Sequence, residues 1–315
     1  MTWLYVLIFI VSCFFLVVSG AWTVKALSRI ARFLKWSEFM VAFVLMAFVS
    51  SLPELFIGIS SAFHGMPEIS FGNIIGANVI NLTLAVGLAV LFLGGLDIER
   101  KTVRNYALFA VVAALLPLIL ILDGQLSRTD GLILLLAFAG YFFWLFSKRE
   151  RFSRVYNNAR HGFKQFFKDI LIFLVSVGLL LLSAELVINS AVVFAQALRV
   201  PAVIIGILLI GAGTALPEAY FSIRAALRGR KEMILGNLMG CVVATSLLVL
   251  GLVALLSPIK ISDFSPYFIA RLFLFVSAVF FLIFIRTNER ITKKEALFLL
   301  LIYFAFVGSE ILFNA

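Results

Sequence analysis

The chain has 315 residues, of which 63% are hydrophobic and 13% charged, with a mean hydropathy of +1.14. A soluble chain of this length carries about 25% charged residues to hydrate its surface, so a soluble enzyme, a nucleic-acid binder and a disordered tail are excluded. The apolar runs are continuous and do not alternate over about ten residues, which argues against a polar-lumen β-barrel.

Apolar runs between polar breaks predict spans near 3–24, 37–62, 69–94, 105–122, 131–147, 170–196, 201–224, 233–257, 264–285 and 296–313. At roughly 20 residues per crossing, this is an all-α integral membrane protein of about ten transmembrane helices. No basic segment precedes the apolar run of residues 1–24, as a signal peptide would require, so the first span is expected to stay. The connections after odd-numbered spans hold Lys25, Arg29, Arg32 and Lys35; Arg100, Lys101 and Arg104; seven basic residues between Lys148 and Lys168; Arg224, Arg228, Arg230 and Lys231; and Arg286, Arg290, Lys293 and Lys294. About 22 of the 26 basic residues thus share one face, against Arg128, Arg199, Lys260 and Arg271 on or near the other. Basic loops stay cytoplasmic, which puts both termini outside in a multi-pass protein of the cell membrane. The net charge of +10 is read as orientation and contact with anionic membrane lipid, with no nucleic-acid role. Cys13 and Cys241 lie in different spans, so no disulfide framework is indicated.

Sliding the sequence over itself by 164 residues brings segment 50–91 over 214–255 without a gap, and about 15 of the 42 positions are identical. The matches include Pro53/Pro217, Glu54/Glu218, Gly72/Gly236, Asn73/Asn237 and Gly76/Gly240. Each repeat then holds five spans. An odd number makes successive repeats cross in opposite senses, which predicts two inverted five-helix repeats with interrupted helices at the midplane. Residues 1–147 form the first repeat, 148–168 a basic cytoplasmic linker, and 169–315 the second repeat.

Of 16 carboxylates, Glu54, Glu185, Glu218 and Glu310 fall inside predicted spans, and two of the four are repeat mates. An ionised carboxylate in hydrocarbon costs several kcal/mol, so such residues face a cavity or a partner. If the pseudo-twofold brings the second and seventh spans together, Glu54 and Glu218 face one another. Like charges at close range do not both stay ionised unless a cation lies between them, and protons are expected to compete for the pair. Pro53 and Pro217 disturb their helices, which offers carbonyls of residues such as Ala47, Ser50, Gly211 and Thr214 to an ion. Asn73 and Asn237 are candidates to cap broken helix ends, and Asn81 with Thr245, each 27 residues after its acid, adds side-chain oxygens. Gly72 and Gly76, with Gly236 and Gly240, allow close backbone approach or a break. The set is a hard-oxygen shell of the kind Ca²⁺ prefers, and soft metals are disfavoured because neither histidine lies in the motifs. Glu185 and Glu310, without acidic mates, read as structural, and Glu68/Glu232 as capping residues at loop edges.

The motifs VSSLPE at 49–54 with GNIIGANVIN at 72–81, and GTALPE at 213–218 with GNLMGCVVAT at 236–245, resemble the two repeats of the sodium/calcium exchangers and the wider calcium:cation antiporter superfamily. The resemblance implies alternating-access antiport of Ca²⁺ or a related cation against Na⁺ or H⁺, with Ca²⁺ and Na⁺ as transported ions and no cofactor. It implies Glu54 and Glu218 as shared ligands, helped by Ser50, Ser51 and Thr214, and a sliding bundle made by the first and sixth spans. Where the family usually has serine, this chain has Ala77, Cys241 and Ala215, and the second repeat's acid or amide is Thr245. The residues of the divalent site are kept, whereas the flanking Na⁺ sites lack these hydroxyls. Alternatives are a proton-coupled or other-cation exchanger that uses Na⁺ weakly and, from a different class, a channel-like pore or intramembrane enzyme. The sequence sets no oligomeric state and is compatible with a monomer.

Overall fold

The computed structural model describes residues 2–33, 51–97, 101–147, 163–229, 231–261, 265–287 and 290–314. In chain order the helices are α1 (Thr2–Phe33), α2 (Leu52–Phe63), α3 (Pro67–Ile80), α4 (Val86–Leu93), α5 (Lys101–Leu120), α6 (Arg128–Ser147) and α7 (Phe163–Leu198). They continue with α8 (Ala202–Ile205), α9 (Gly211–Leu227), α10 (Lys231–Val243), α11 (Leu250–Leu256), α12 (Ser265–Thr287) and α13 (Lys293–Asn314). Among the described residues, nine helical stretches are long and apolar enough to cross a membrane, and α2 is a shorter apolar helix. The start of the second predicted span, with Ala47 and Ser50, and most of the linker lie outside the described residues.

The expected interruptions take the form of π-helical turns. One joins α3 to α4 at Asn81–Ala85, and another joins α10 to α11 at Ala244–Val249. Asn81 and Thr245 are repeat mates, so the same local widening recurs at equivalent places in the two halves. A third, Gly206–Ile210, joins α8 to α9. Such turns insert a residue into the helical ladder and re-aim side chains, and they recur at functional sites.

The inverted relation is also written in four two-residue strands that apolar periodicity does not announce. Leu96–Asp97 (β1) pairs antiparallel with Arg290–Ile291 (β4), and Gln125–Leu126 (β2) pairs antiparallel with Ile259–Lys260 (β3). β3 and β4 fall within one residue of the positions that the 164-residue offset assigns to β1 and β2. Each half therefore lends one strand to each ladder. Two further elements match: Ser127 and Asp130 form a capping box before α6, and Thr292 and Glu295 form one before α13.

α1 and α7 run antiparallel against each other along most of their lengths. Phe9 meets Phe194 at 5.4 Å near one end and Phe33 stacks on Phe166 at 4.3 Å near the other. Between them Thr23 donates to Ser176 at 2.9 Å, and Arg29 pairs with Asp169 at 2.7 Å. At about 1.5 Å per residue, helices of 32 and 36 residues outrun a hydrocarbon layer of about 30 Å, so both extend well beyond the 3–24 and 170–196 spans expected from hydropathy. The pair meets the rest of the molecule through a separate apolar cluster of Leu16, Leu180, Ala184 and Ile188 against Ile57, Ile69 and Ile205. The main core is built by the remaining helices.

Candidate cation site

The site sits where α2, α3, α9 and α10 meet. Pro53 occupies the first turn of α2, a position where a missing amide costs no helical bond, and Glu54 follows it there. The free amides of a first turn form the positive end of the helix dipole and favour a carboxylate. Glu218 lies inside α9, one residue after Pro217, and the helical pattern leaves the Gly213 carbonyl without that residue's amide.

Close approach of α3 to the α8–α9 segment brings the two halves together. A Cβ on Gly76 would strike the backbone carbonyl of Ile207, and one on Gly206 would lie 2.5 Å from the carbonyl of Ile69. Of the two roles open to Gly72 and Gly76, backbone approach is the one they fill.

Glu54 is fully buried and Glu218 is 4% exposed. One oxygen of each carboxylate and the Sγ of Cys241 lie within 4.8 Å of one another. Both oxygens of Glu54 and Oε2 of Glu218 are buried without a hydrogen-bond partner among the described residues. The Thr214 hydroxyl lies beside Glu54 and donates to Asn73 Oδ1 at 3.0 Å. Within 4.8 Å and at an effective dielectric of about 20, two like unit charges repel by about 3.5 kcal/mol or more. That exceeds the roughly 1 kcal/mol that an ordinary hydrogen bond contributes. A cation between the carboxylates turns the repulsion into attraction on both sides.

The structure places the expected residues unevenly. Glu54 and Glu218 come together as expected. Asn73 is in the interior of α3 and ties it to α9 through Thr214, so it bridges spans instead of capping a broken end. Its mate Asn237 is buried in α10. Asn81 and Ser51 both converge on Cys241, with Asn81 Nδ2 at 3.7 Å and Ser51 Oγ at 3.9 Å from Sγ. Asn81 Oδ1 is buried and accepts no hydrogen bond among the described residues. The Thr245 hydroxyl is instead engaged by Asn78 Oδ1 at 3.1 Å and the Cys241 carbonyl at 2.9 Å, and Asn78 donates to Ser246 at 2.8 Å. The Gly211 carbonyl is 3.4 Å from the Thr214 hydroxyl.

One feature is not anticipated by the sequence. The absence of histidine from the motifs disfavours soft metals, yet a sulfur lies beside both carboxylates. Cys241 precedes Thr245 by one helical turn and directly follows a motif glycine, a spacing that assigns it to the same helix face. Glu185 keeps its structural role, because it accepts from Ser60 at 2.6 Å, contacts His64 at 3.0 Å and accepts from Asn189 at 3.3 Å, joining α7 to the end of α2. Glu310 is buried in α13, and Glu68 lies in the first turn of α3, where a carboxylate suits the helix N-terminus.

The family model described as sodium/calcium exchanger protein matches residues 4–147 and 168–311, one match per half. The sodium/calcium exchanger MaX1 of Methanosarcina acetivorans is 27% identical, over 96% of this chain and 97% of that protein. An uncharacterized membrane protein of Methanocaldococcus jannaschii is 31% identical, over 75% of this chain and 76% of that protein. Among solved structures, the sodium-calcium exchanger NCX_Mj soaked with Na⁺ and Ca²⁺ superposes with a TM-score of 0.66 at 25% identity, covering 98% of this chain and 99% of that one. Two matched halves, an all-helical membrane architecture and a whole-length structural likeness agree, and the chain belongs to the sodium/calcium exchanger protein family.

Proposed function

We propose that this protein is a secondary antiporter that moves Ca²⁺ against Na⁺ by alternating access, with Glu54 and Glu218 as the shared ligands of the divalent ion. The observation that carries this reading is the buried pair of repeat-mate carboxylates, in which both oxygens of Glu54 and Oε2 of Glu218 lack hydrogen-bond partners among the described residues. Asn81 Oδ1 is a further oxygen ligand, and Ser50, Ala47 and Gly211 supply carbonyls. The antiparallel pair α1 and α7, which meets the remainder through its own apolar cluster, is the body that slides to expose the site to either side. We read the excess of basic residues in one set of loops as support for an orientation with both termini outside, in a multi-pass protein of the cell membrane.

A second reading, coupling to H⁺ with weak use of Na⁺, is favoured by one contact. Ala77 and Ala215 share a small apolar cluster where the family motif has hydroxyls. Radiolabelled Ca²⁺ uptake into proteoliposomes under imposed Na⁺ or H⁺ gradients tests both. Uptake driven by the Na⁺ gradient and lost in Glu54→Gln and Glu218→Gln supports the first. Uptake driven by H⁺ alone moves the assignment to the second, and uptake indifferent to both substitutions defeats the site.

A further inference from the structure

We infer that Cys241 supplies a sulfur ligand to the carboxylate pair, so that the site takes a thiophilic divalent cation, of the Cd²⁺ or Zn²⁺ class, more tightly than it takes Ca²⁺. The inference rests on the reading of Glu54 and Glu218 as the cation pair and adds what a third, softer donor does to its selectivity.

Three atoms no farther apart than 4.8 Å share a point about 2.8 Å or less from each, a few tenths of an ångström beyond metal bonds of about 2.3 Å to thiolate and about 2.0–2.6 Å to carboxylate. Cys241 is fully buried, and both oxygens of Glu54 and Oε2 of Glu218 are buried and accept no hydrogen bond among the described residues. Asn81 stands beside the sulfur with Nδ2 at 3.7 Å and carries a buried acceptor, Oδ1, that makes it a candidate fourth ligand. Ser51 Oγ also donates to the sulfur, at 3.9 Å. Two carboxylate oxygens, one sulfur and one amide oxygen make a compact set of four. Ca²⁺ prefers six to eight oxygens and gains little from sulfur, whereas thiolate is a preferred ligand of the softer divalent ions. On binding, the metal–sulfur bond replaces the thiol S–H bond, and the proton leaves to solvent.

Cys13 is the other cysteine of the chain and lies outside the group, so Cys13→Ala leaves Cys241 as the single thiol. Full-length Cys13→Ala protein in nanodiscs is titrated with Cd²⁺ while ultraviolet absorption is recorded, and Cd²⁺ then competes with radiolabelled Ca²⁺. A thiolate-to-cadmium charge-transfer band that saturates with one Cd²⁺ per chain is expected, with Cd²⁺ displacing Ca²⁺ at a concentration at least about tenfold below that of unlabelled Ca²⁺. Adding Cys241→Ser is expected to remove the band and most of that advantage. No band in the Cys13→Ala protein, or an undiminished Cd²⁺ advantage in the Cys241→Ser protein, overturns the inference and leaves the carboxylate site standing. Should the second variant not fold, the band in the first decides by itself. Ca²⁺ binding unaffected by Glu54→Gln marks the different failure, that of the carboxylate pair.

Discussion

Ala77 and Ala215 meet in a buried cluster with Ile80, at the place that the pseudo-twofold relates to the contact between Cys241 and Ser51. Ala77 is the repeat mate of Cys241, and Ala215 that of Ser51. One contact of the symmetric pair is therefore polar and its image apolar. The carboxylates remain symmetric in identity, while the polarity of their surroundings does not.

Replacing both alanines with serine is expected to strengthen the Na⁺ dependence of Ca²⁺ flux, because two hydroxyls then face each other where Ser51 faces Cys241. Each single serine places a hydroxyl in a fully buried apolar contact, at a cost of about 1–3 kcal/mol if it is unpaired. The double variant is expected to be more stable than the sum of the singles implies, a coupling that a double-mutant cycle reads from thermal midpoints. Na⁺ titration of Ca²⁺ uptake gives the functional half. An unchanged Na⁺ response in the double variant removes this account of the asymmetry.

The second prediction concerns the carboxylates in the absence of divalent ions. Without a cation Glu54 and Glu218 do not both stay ionised, because two like charges within 4.8 Å repel by about 3.5 kcal/mol or more at an effective dielectric of about 20. Glu54→Gln or Glu218→Gln is therefore expected to abolish Ca²⁺-driven stabilisation and to raise the thermal midpoint of the protein in chelator at alkaline pH, where both carboxyls of the unaltered pair are driven to ionise. Melting curves with and without Ca²⁺ check both parts. A variant that melts lower in chelator and still gains from Ca²⁺ contradicts the pairing.

Much of this was legible in the sequence because the signals were duplicated. The P-E and G-N-x-x-G pairs at one offset fixed the repeat, its inversion and the acids, since composition alone does not reproduce polar matches in register. The strand ladders were invisible, because two-residue elements such as Leu96–Asp97 carry no periodicity and are stabilised by a partner about 190 residues away. The engagement of Thr245 is hidden for a related reason. A hydroxyl on the right helix face can satisfy itself on its own helix, and Thr245 does so on the Cys241 carbonyl. Cys241 was discounted on ligand hardness alone, and only its distance to the carboxylates shows what it faces.

Glycine substitutions separate packing from lipid exposure. Gly76 lies against the backbone of Ile207, which has no rotamer to move aside, whereas a Cβ on Gly140 would meet nothing within 4 Å. Gly76→Ala is expected to cost about 1–3 kcal/mol or more through forced separation of the two halves, and Gly140→Ala to be neutral or slightly stabilising through helix propensity. Thermal midpoints compare them. Because Gly76 is a turn away from the residues that converge on Cys241, its variant is also expected to lose Ca²⁺ binding.

The last prediction follows the ladder that joins the halves on the face of the basic loops. Asp97 at the end of β1 is hydrogen-bonded to Lys231, which begins α10, and its other oxygen is 3.4 Å from Arg290 of β4. The bond to Lys231, with the positive charges of Lys231 and Arg290, holds the Asp97 carboxyl below the usual aspartate range. A carboxylate lowered in this way stabilises the folded state above its ordinary value near 3.9, and the contribution is lost as pH falls below that through the folded value. All three side chains are more than a third exposed, so solvent screens the interaction and the global melting temperature is expected to change little. The local effect is the readable one. Hydrogen exchange at Leu96 and Ile291, corrected for intrinsic rates, is expected to show protection that falls on acidification below about pH 4. In Asp97→Asn that protection is already reduced at neutral pH and no longer responds to acid. Equal protection in both proteins across this range would show that the backbone ladder holds without the charge cluster, and that the joint between the halves depends on strand pairing alone.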